Sequence, residues 1–155
     1  MKRFLPLLLC CLIVTPELLL AAEQAPAPPK KPSLYERLGG SYPIAVVVDE
    51  FIDLLLLNDV LNANPAINEA RARVPKAGLK FQVASLVCQA TGGPCTYGGR
   101  DMKSAHAKLN ISEAEWDAMV RDLVRVLNNH HVPKPEQDEL LSILGSTKGD
   151  IVMRK

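Results

Sequence analysis

The chain has 155 residues, 48% of them apolar, with 18 Lys and Arg set against 17 Asp and Glu for a formal net charge of +1. That length suits one ordinary domain with its own core, and the balance of charge offers no electrostatic footprint for nucleic acid or for an anionic membrane surface. Aromatic residues make up only 5% and the basic residues are scattered, so a stacking platform for bases is not expected either.

The first 22 residues read as a leader. Met1-Lys2-Arg3 is a short basic start, Phe4 to Leu20 is apolar apart from Thr15 and Glu17, and Ala21-Ala22 offers small residues for cleavage, the pattern of a secretory signal peptide. The alternative, a spanning anchor, is opposed by Pro6, Pro16, Glu17 and the short length, so no stable membrane insertion is expected after cleavage. Loss of Lys2, Arg3 and Glu17 takes 18 basic and 17 acidic residues to 16 and 16, a net charge of zero. The expected destination is outside the cytoplasm, as in a bacterial periplasm. Cleavage also removes Cys10 and Cys11. Cys88 and Cys95 remain, and in an oxidising compartment they are expected to form one disulfide. A metal site or two reactive thiols are the alternatives, and no CxxC motif supports them.

Residues 23–32 form a Pro-rich linker with nothing to bury, and the domain is expected over 33–155. Ser33-Leu34-Tyr35-Glu36 is a capping box that opens a short helix, and Gly39-Gly40 stops it. Ser41 and Pro43 open a second helix, which ends at Asn58-Asp59. It is apolar on most faces from Ile44 to Leu57, with Ile44, Val47, Val48, Phe51 and Leu55 at helical spacing, which predicts a place inside the domain. Asn64-Pro65 reads as the cap and first residue of another helix, running to about Val74. Pro75 starts the next, with Leu79, Val83, Leu86 and Val87 on one stripe.

Thr91-Gly92-Gly93-Pro94 breaks the chain. Asp101 then caps a short helix holding Met102, His106 and Leu109. Ser112-Glu113-Ala114-Glu115 is a second capping box, opening a helix with Trp116, Met119, Val120, Leu123, Val124 and Leu127 at helical spacing. Pro133 and Pro135 mark a turn, and a last helix carries Leu140, Leu141, Ile143 and Leu144 before Gly145. With no strand pattern, the fold class is all-α with short connections.

Of the three histidines, His130 and His131 read as solvent-facing cations at a helix C-terminus and receive no role. His106 is flanked by Met102 at i−4 and Leu109 at i+3. An imidazole on such an apolar face serves either as a core residue bonded to a backbone carbonyl or as a single axial metal ligand, and the residue pattern leaves both readings open.

A wider pattern bears on that choice. Leu34-Tyr35-Glu36-Arg37-Leu38-Gly39-Gly40, Val47-Val48-Asp49-Glu50-Phe51, Gly92-Gly93-Pro94 with Tyr97 and Gly99, and Met102-Lys103-Ser104-Ala105-His106 with Ile111 together resemble the truncated haemoglobins of group I, from about Leu34 to Ile151. The resemblance implies a truncated two-over-two helical globin fold around haem b. His106 would be the proximal iron ligand, with Met102, Ile111 and Trp116 near the haem. It further implies a diatomic gas (O2, NO or CO) as ligand.

The distal side departs from that family. Ile52, after Phe51, stands where a Tyr is customary, Val83 where a Gln is frequent, with Leu79 one turn earlier, and Asn64-Pro65 replaces a Phe pair. Tyr and Gln donate hydrogen bonds to bound dioxygen, which carries partial negative charge. An apolar wall of Ile52, Leu79 and Val83 forgoes about 1.5–3 kcal/mol for each such bond. A shift of one residue in register would turn Gln82 into the pocket, and Tyr97 and Lys80 are lesser donors. Two other functions stay open. One is a haem-dependent enzyme that detoxifies nitric oxide or acts as a peroxidase, which needs an electron donor that the sequence does not identify. The other is a haem-free helical interaction module.

Overall fold

The computed structural model describes residues 31–154, so the expected leader and most of the Pro-rich linker lie outside the described residues. Helix α1 (Leu34–Arg37) starts at the Ser33–Glu36 capping box, in which the Ser33 hydroxyl accepts from the Glu36 amide and the Glu36 carboxylate accepts from the Ser33 amide. The chain reverses at Gly39 and Gly40, with φ of 87° and 86°, values that a β-carbon disfavours.

Helix α2 (Ser41–Leu57) follows. Ile44, Val48, Phe51 and Ile52 are buried, whereas Tyr42, Val46 and Leu57 are exposed. The helix therefore lies in the domain by one face and not all round, because its apolar surface exceeds what its neighbours cover.

Asn58 does more than end α2. Its side chain accepts from the Val60 and Leu61 amides and so starts a further single-turn helix, α3 (Asp59–Asn62). An Asn both stops one helix and caps the next wherever the backbone turns extended at it. Helix α4 (Pro65–Arg73) is capped by Asn64, with Pro65 in its first turn, and α5 (Lys76–Ala90) starts after Pro75. Helix α6 (Met102–His106) is short, and the Asp101 side chain accepts from the Ser104 amide. That bond and the Ser104 hydroxyl hold the Asp101 carboxyl below its usual range.

Helix α7 (Glu113–Asn129) begins with the second capping box, Ser112 and Glu115. The last long helix, α8 (Lys134–Ser146), runs through Gly145 and is followed by the single turn α9 (Lys148–Ile151). Two short strands, β1 (Ile111–Ser112) and β2 (Val152–Arg154), pair in parallel. They are too short for an alternating pattern to show in the sequence, and they leave the fold class all-α.

Two apolar clusters organise these elements. In the larger, Ile44, Val48, Phe51 and Ile52 of α2 pack with Leu123, Val126 and Leu127 of α7 and Leu140 of α8, while Leu79, Val83, Ala84 and Val87 of α5 lie against them half-buried. Four long helices thus share one core. The smaller cluster joins Leu61, Ile67, Ile111, Trp116 and Ile151. Cys88 and Cys95 are joined by a disulfide with Cα atoms 5.8 Å apart. It ties the end of α5 to the loop leading toward α6. Gly93 sits inside this bend, where a β-carbon would come within 2.5 Å of Tyr35 and 2.7 Å of the Cys88 sulfur.

Two stability measurements follow from this packing. Leu127 is 1% exposed at the centre of the larger cluster, so Leu127→Ala is expected to lower the unfolding free energy by about 2–5 kcal/mol in a denaturant titration. Cys95→Ser opens a ring closed by residues seven apart and is expected to lower it by about 2.5 kcal/mol on loop entropy; an unchanged midpoint would show that the bond constrains nothing.

Candidate functional site

Between the larger core and α6 lies an apolar cleft of about 860 Å³. Phe51, Ile52 and Leu55 of α2, Leu79 and Val83 of α5, Met102 and His106 of α6, and Met119 and Leu123 of α7 all line it. The structure thus brings together six of the eight residues singled out around the cofactor: Phe51, Ile52, Leu79, Val83, Met102 and His106. Ile111 and Trp116 are placed differently. Both are buried in the smaller cluster, packed with Met102 and Met119, and neither lines the cleft. Ile111 is carried there by β1, which pairs with β2, and Trp116 of α7 packs in the same cluster as Ile151.

The geometry of His106 carries the chemistry. Its Nδ1 lies 2.8 Å from the Met102 carbonyl oxygen. A carbonyl only accepts, so Nδ1–H donates, and in the neutral ring the lone pair resides on Nε2. No hydrogen bond engages Nε2 among the described residues. A ring held this way by a backbone carbonyl, with its second nitrogen free on a cleft wall, matches what an axial metal ligand requires. The two readings of His106 left open by the sequence are therefore compatible: the carbonyl bond uses one nitrogen and leaves the other. No cluster of three or more His, Cys, Asp or Glu side chains suited to a bare metal ion is present among the described residues; the lone imidazole of His106 would hold the iron of a porphyrin. The apolar lining and the volume fit such a flat, largely apolar group.

The candidate polar donors separate. Gln82 and Tyr97 line the cleft; Lys80 does not. Lys80 pairs with Asp49 at 2.5 Å and Asp53 at 2.7 Å, and Lys76 with Asp53 at 2.8 Å, so the lysines strap α5 to α2 on the outside. The Asp49 and Asp53 carboxylates hold the Lys80 ammonium above its ordinary range. The Tyr97 hydroxyl donates to the Arg100 carbonyl at 2.9 Å. Gln82 is exposed and its amide has no partner among the described residues. Val83 and Gln82 both reach the cleft, so no slip of register is needed for either.

His130 is not idle at the end of α7: its Nε2 lies 2.7 Å from the Glu50 carboxylate, which also accepts from Asn129. The Asn129 and His130 contacts hold the Glu50 carboxyl below its usual range. This pair joins α7 to α2 and is structural.

The cleft residues not singled out in the sequence include a half-buried cation. Arg71 of α4 lines the cleft half-buried. Its Nη2 donates to the Leu55 carbonyl at 2.7 Å and its Nη1 to the Asn62 side chain. Burial lowers the pKa of its guanidinium. The available signal was spacing: Arg71 falls at i+4 from Ile67, on the inward face of its helix.

Residues 33–153 match the family described as Bacterial-like globin. Similar curated proteins include the Group 1 truncated hemoglobin GlbN of Synechocystis sp., 29% identical over 74% of this chain and 90% of that protein. The Group 1 truncated hemoglobin LI410 of Chlamydomonas moewusii is 25% identical over 85% and 76%. Among solved structures, the truncated hemoglobin of Tetrahymena pyriformis in its Fe(III) form aligns with a TM-score of 0.69 at 21% identity, covering 78% of this chain and 98% of that one. The 2/2 hemoglobin of Synechococcus sp. PCC 7002, in the cyanomet state with covalently attached heme, aligns with a TM-score of 0.69 at 26% identity, covering 79% and 100%. With its all-α core of four long helices, the apolar cleft and the match over most of its length, the chain belongs to the bacterial-like globins as a truncated haemoglobin, and its cofactor is haem.

Proposed function

We propose that this globin holds haem b through His106 as the proximal iron ligand and reversibly binds a diatomic gas in a mainly apolar distal pocket. The observation that carries this reading is the Nδ1–H of His106 on the Met102 carbonyl, with Nε2 left unengaged at the wall of the same cleft that Ile52, Leu79 and Val83 line. Haem, when bound, would supply the iron that takes up the gas. The chain's own residues do the rest. Met102 orients the imidazole and increases its donor strength. Ile52, Leu79, Val83 and Leu123 exclude water and give the gas an apolar surface.

The composition of the distal wall sets the preference among gases. Ile52, at 2% exposure, offers no hydrogen bond where dioxygen develops partial negative charge, whereas carbon monoxide and nitric oxide depend less on such donors. Gln82, exposed at the cleft and without a partner, is the nearest amide in sequence to this wall. We place the activity outside the cytoplasm; the leader pattern of residues 1–22 and the Cys88–Cys95 disulfide support that location.

Two experiments test the reading. Full-length chain reconstituted with haem is expected to show a stoichiometric Soret band that shifts with carbon monoxide, and His106→Ala is expected to lose it; haem content unchanged in that variant rejects His106 as the ligand. Ile52→Tyr is expected to slow dioxygen dissociation by roughly 10- to 150-fold, the rate equivalent of one hydrogen bond to a charged acceptor. No change in the stopped-flow rate would remove Ile52 from the distal pocket.

A further inference from the structure

Arg71 presents an imbalance that the site as described does not use. Its guanidinium lines an apolar cleft, half-buried, and is fixed by hydrogen bonds to two neutral acceptors, the Leu55 carbonyl and the Asn62 side chain. Neither acceptor carries charge. Among the described residues no Asp or Glu comes within ion-pair distance of it; Arg100, Arg121 and Arg125 lack a carboxylate too but are exposed to water, whereas Arg71 is half-buried, as is Arg37, which meets a carboxylate. An arginine remains protonated in a protein, and a cation withdrawn from water without a counter-charge is costly. Of its five N–H donors, two are engaged, and these two hold the rest in place. The result is a guanidinium fixed by two bonds at the lining of an apolar cleft. Its complement is an anionic oxygen group, since planar paired oxygens accept from a guanidinium in bidentate fashion.

We propose that Arg71 receives a carboxylate of the porphyrin bound in this cleft. The inference rests on the haem reading above and adds the residue that neutralises one of the two carboxylates haem b carries. A porphyrin is otherwise apolar, so it brings a negative group to the cleft on the same body that fills it. Arg71 then serves as an electrostatic anchor from α4, while His106 anchors from α6. A free small anion would present the same oxygen chemistry, and the test separates the two sources.

The experiment compares haem with its dimethyl ester, in which both carboxylates are blocked. Each is titrated into the full-length apo chain and followed by its Soret band, for the parent, Arg71→Gln and Arg71→Lys. Gln retains a donor for the Leu55 carbonyl without the charge, Lys retains the charge, and circular dichroism checks that each variant keeps its helices. The parent is expected to prefer haem to the ester. Arg71→Gln is expected to reduce that preference by about tenfold while leaving ester affinity within about twofold, the behaviour of one lost charged contact. Arg71→Lys is expected to retain most of it. Equal loss of affinity for both compounds in Arg71→Gln assigns Arg71 a structural role and overturns the proposal. So does an unchanged preference, and if acetate then weakens binding of both compounds in the parent but not in Arg71→Gln, the anion is a free one. A parent chain that takes up neither compound overturns the haem reading itself, whereas stoichiometric haem with a preference insensitive to Arg71 overturns this inference alone.

Discussion

The buried seam along α2 is the constraint on which the cleft depends. Ile44, Val48, Phe51 and Ile52 pack with Leu123, Val126 and Leu127 of α7, and the same helix meets Leu79 and Val83 of α5. One helix thereby fixes the positions of two others by apolar contact, which is close-packed and tolerates little displacement. Phe51 and Ile52 belong both to this seam and to the cleft wall. This part of the cleft wall is thus a face of the core itself, and its apolar character follows from its packing duty.

Around that rigid seam the short elements are held by polar contacts. Asn58 caps α3, Asn64 caps α4 and also donates to the Leu109 carbonyl, Asp101 caps α6, and Ser112 with Glu115 caps α7. Helices of four or five residues have little intrinsic stability, so their orientation comes from these caps and from the smaller apolar cluster beneath them. His106 benefits directly: Asp101 starts its helix, the Cys88–Cys95 bond restrains the loop before it, and Met102 fixes its ring. The wall that carries His106 is built from local bonds and the wall that carries Ile52, Leu79 and Val83 from long-range packing. Changes in the second wall therefore leave the histidine's local supports in place.

Most of the helices were legible in the sequence because their signals are local. The Ser33–Glu36 and Ser112–Glu115 capping boxes, the Asn64-Pro65 start and the Gly39-Gly40 stop each act within about one turn, and each stands where its residues put it. His106 was legible as a candidate from its apolar neighbours; its reading as an iron ligand rests on the resemblance. Helix α3 escaped notice because one Asn both ends α2 and caps it. The β1–β2 pairing joins residues some forty positions apart and leaves no periodic trace.

What the amino-acid sequence determined by itself was therefore the order of the helices, the apolar stripes that make a core and the residue types facing it. The tertiary structure alone decided which of those residues meet. Ile111 and Trp116 have the apolar character of cleft residues, but they are buried in the smaller cluster with Leu61, Ile67 and Ile151. Lys80 has the reach of a distal donor but is held outside by Asp49 and Asp53. Arg71 reads as one more surface charge on a polar helix until the end of α2 and Asn62 capture its guanidinium at the cleft. The physical reason is common to all three: a side chain's direction is set by the partners that satisfy it, and those partners lie far away in the chain.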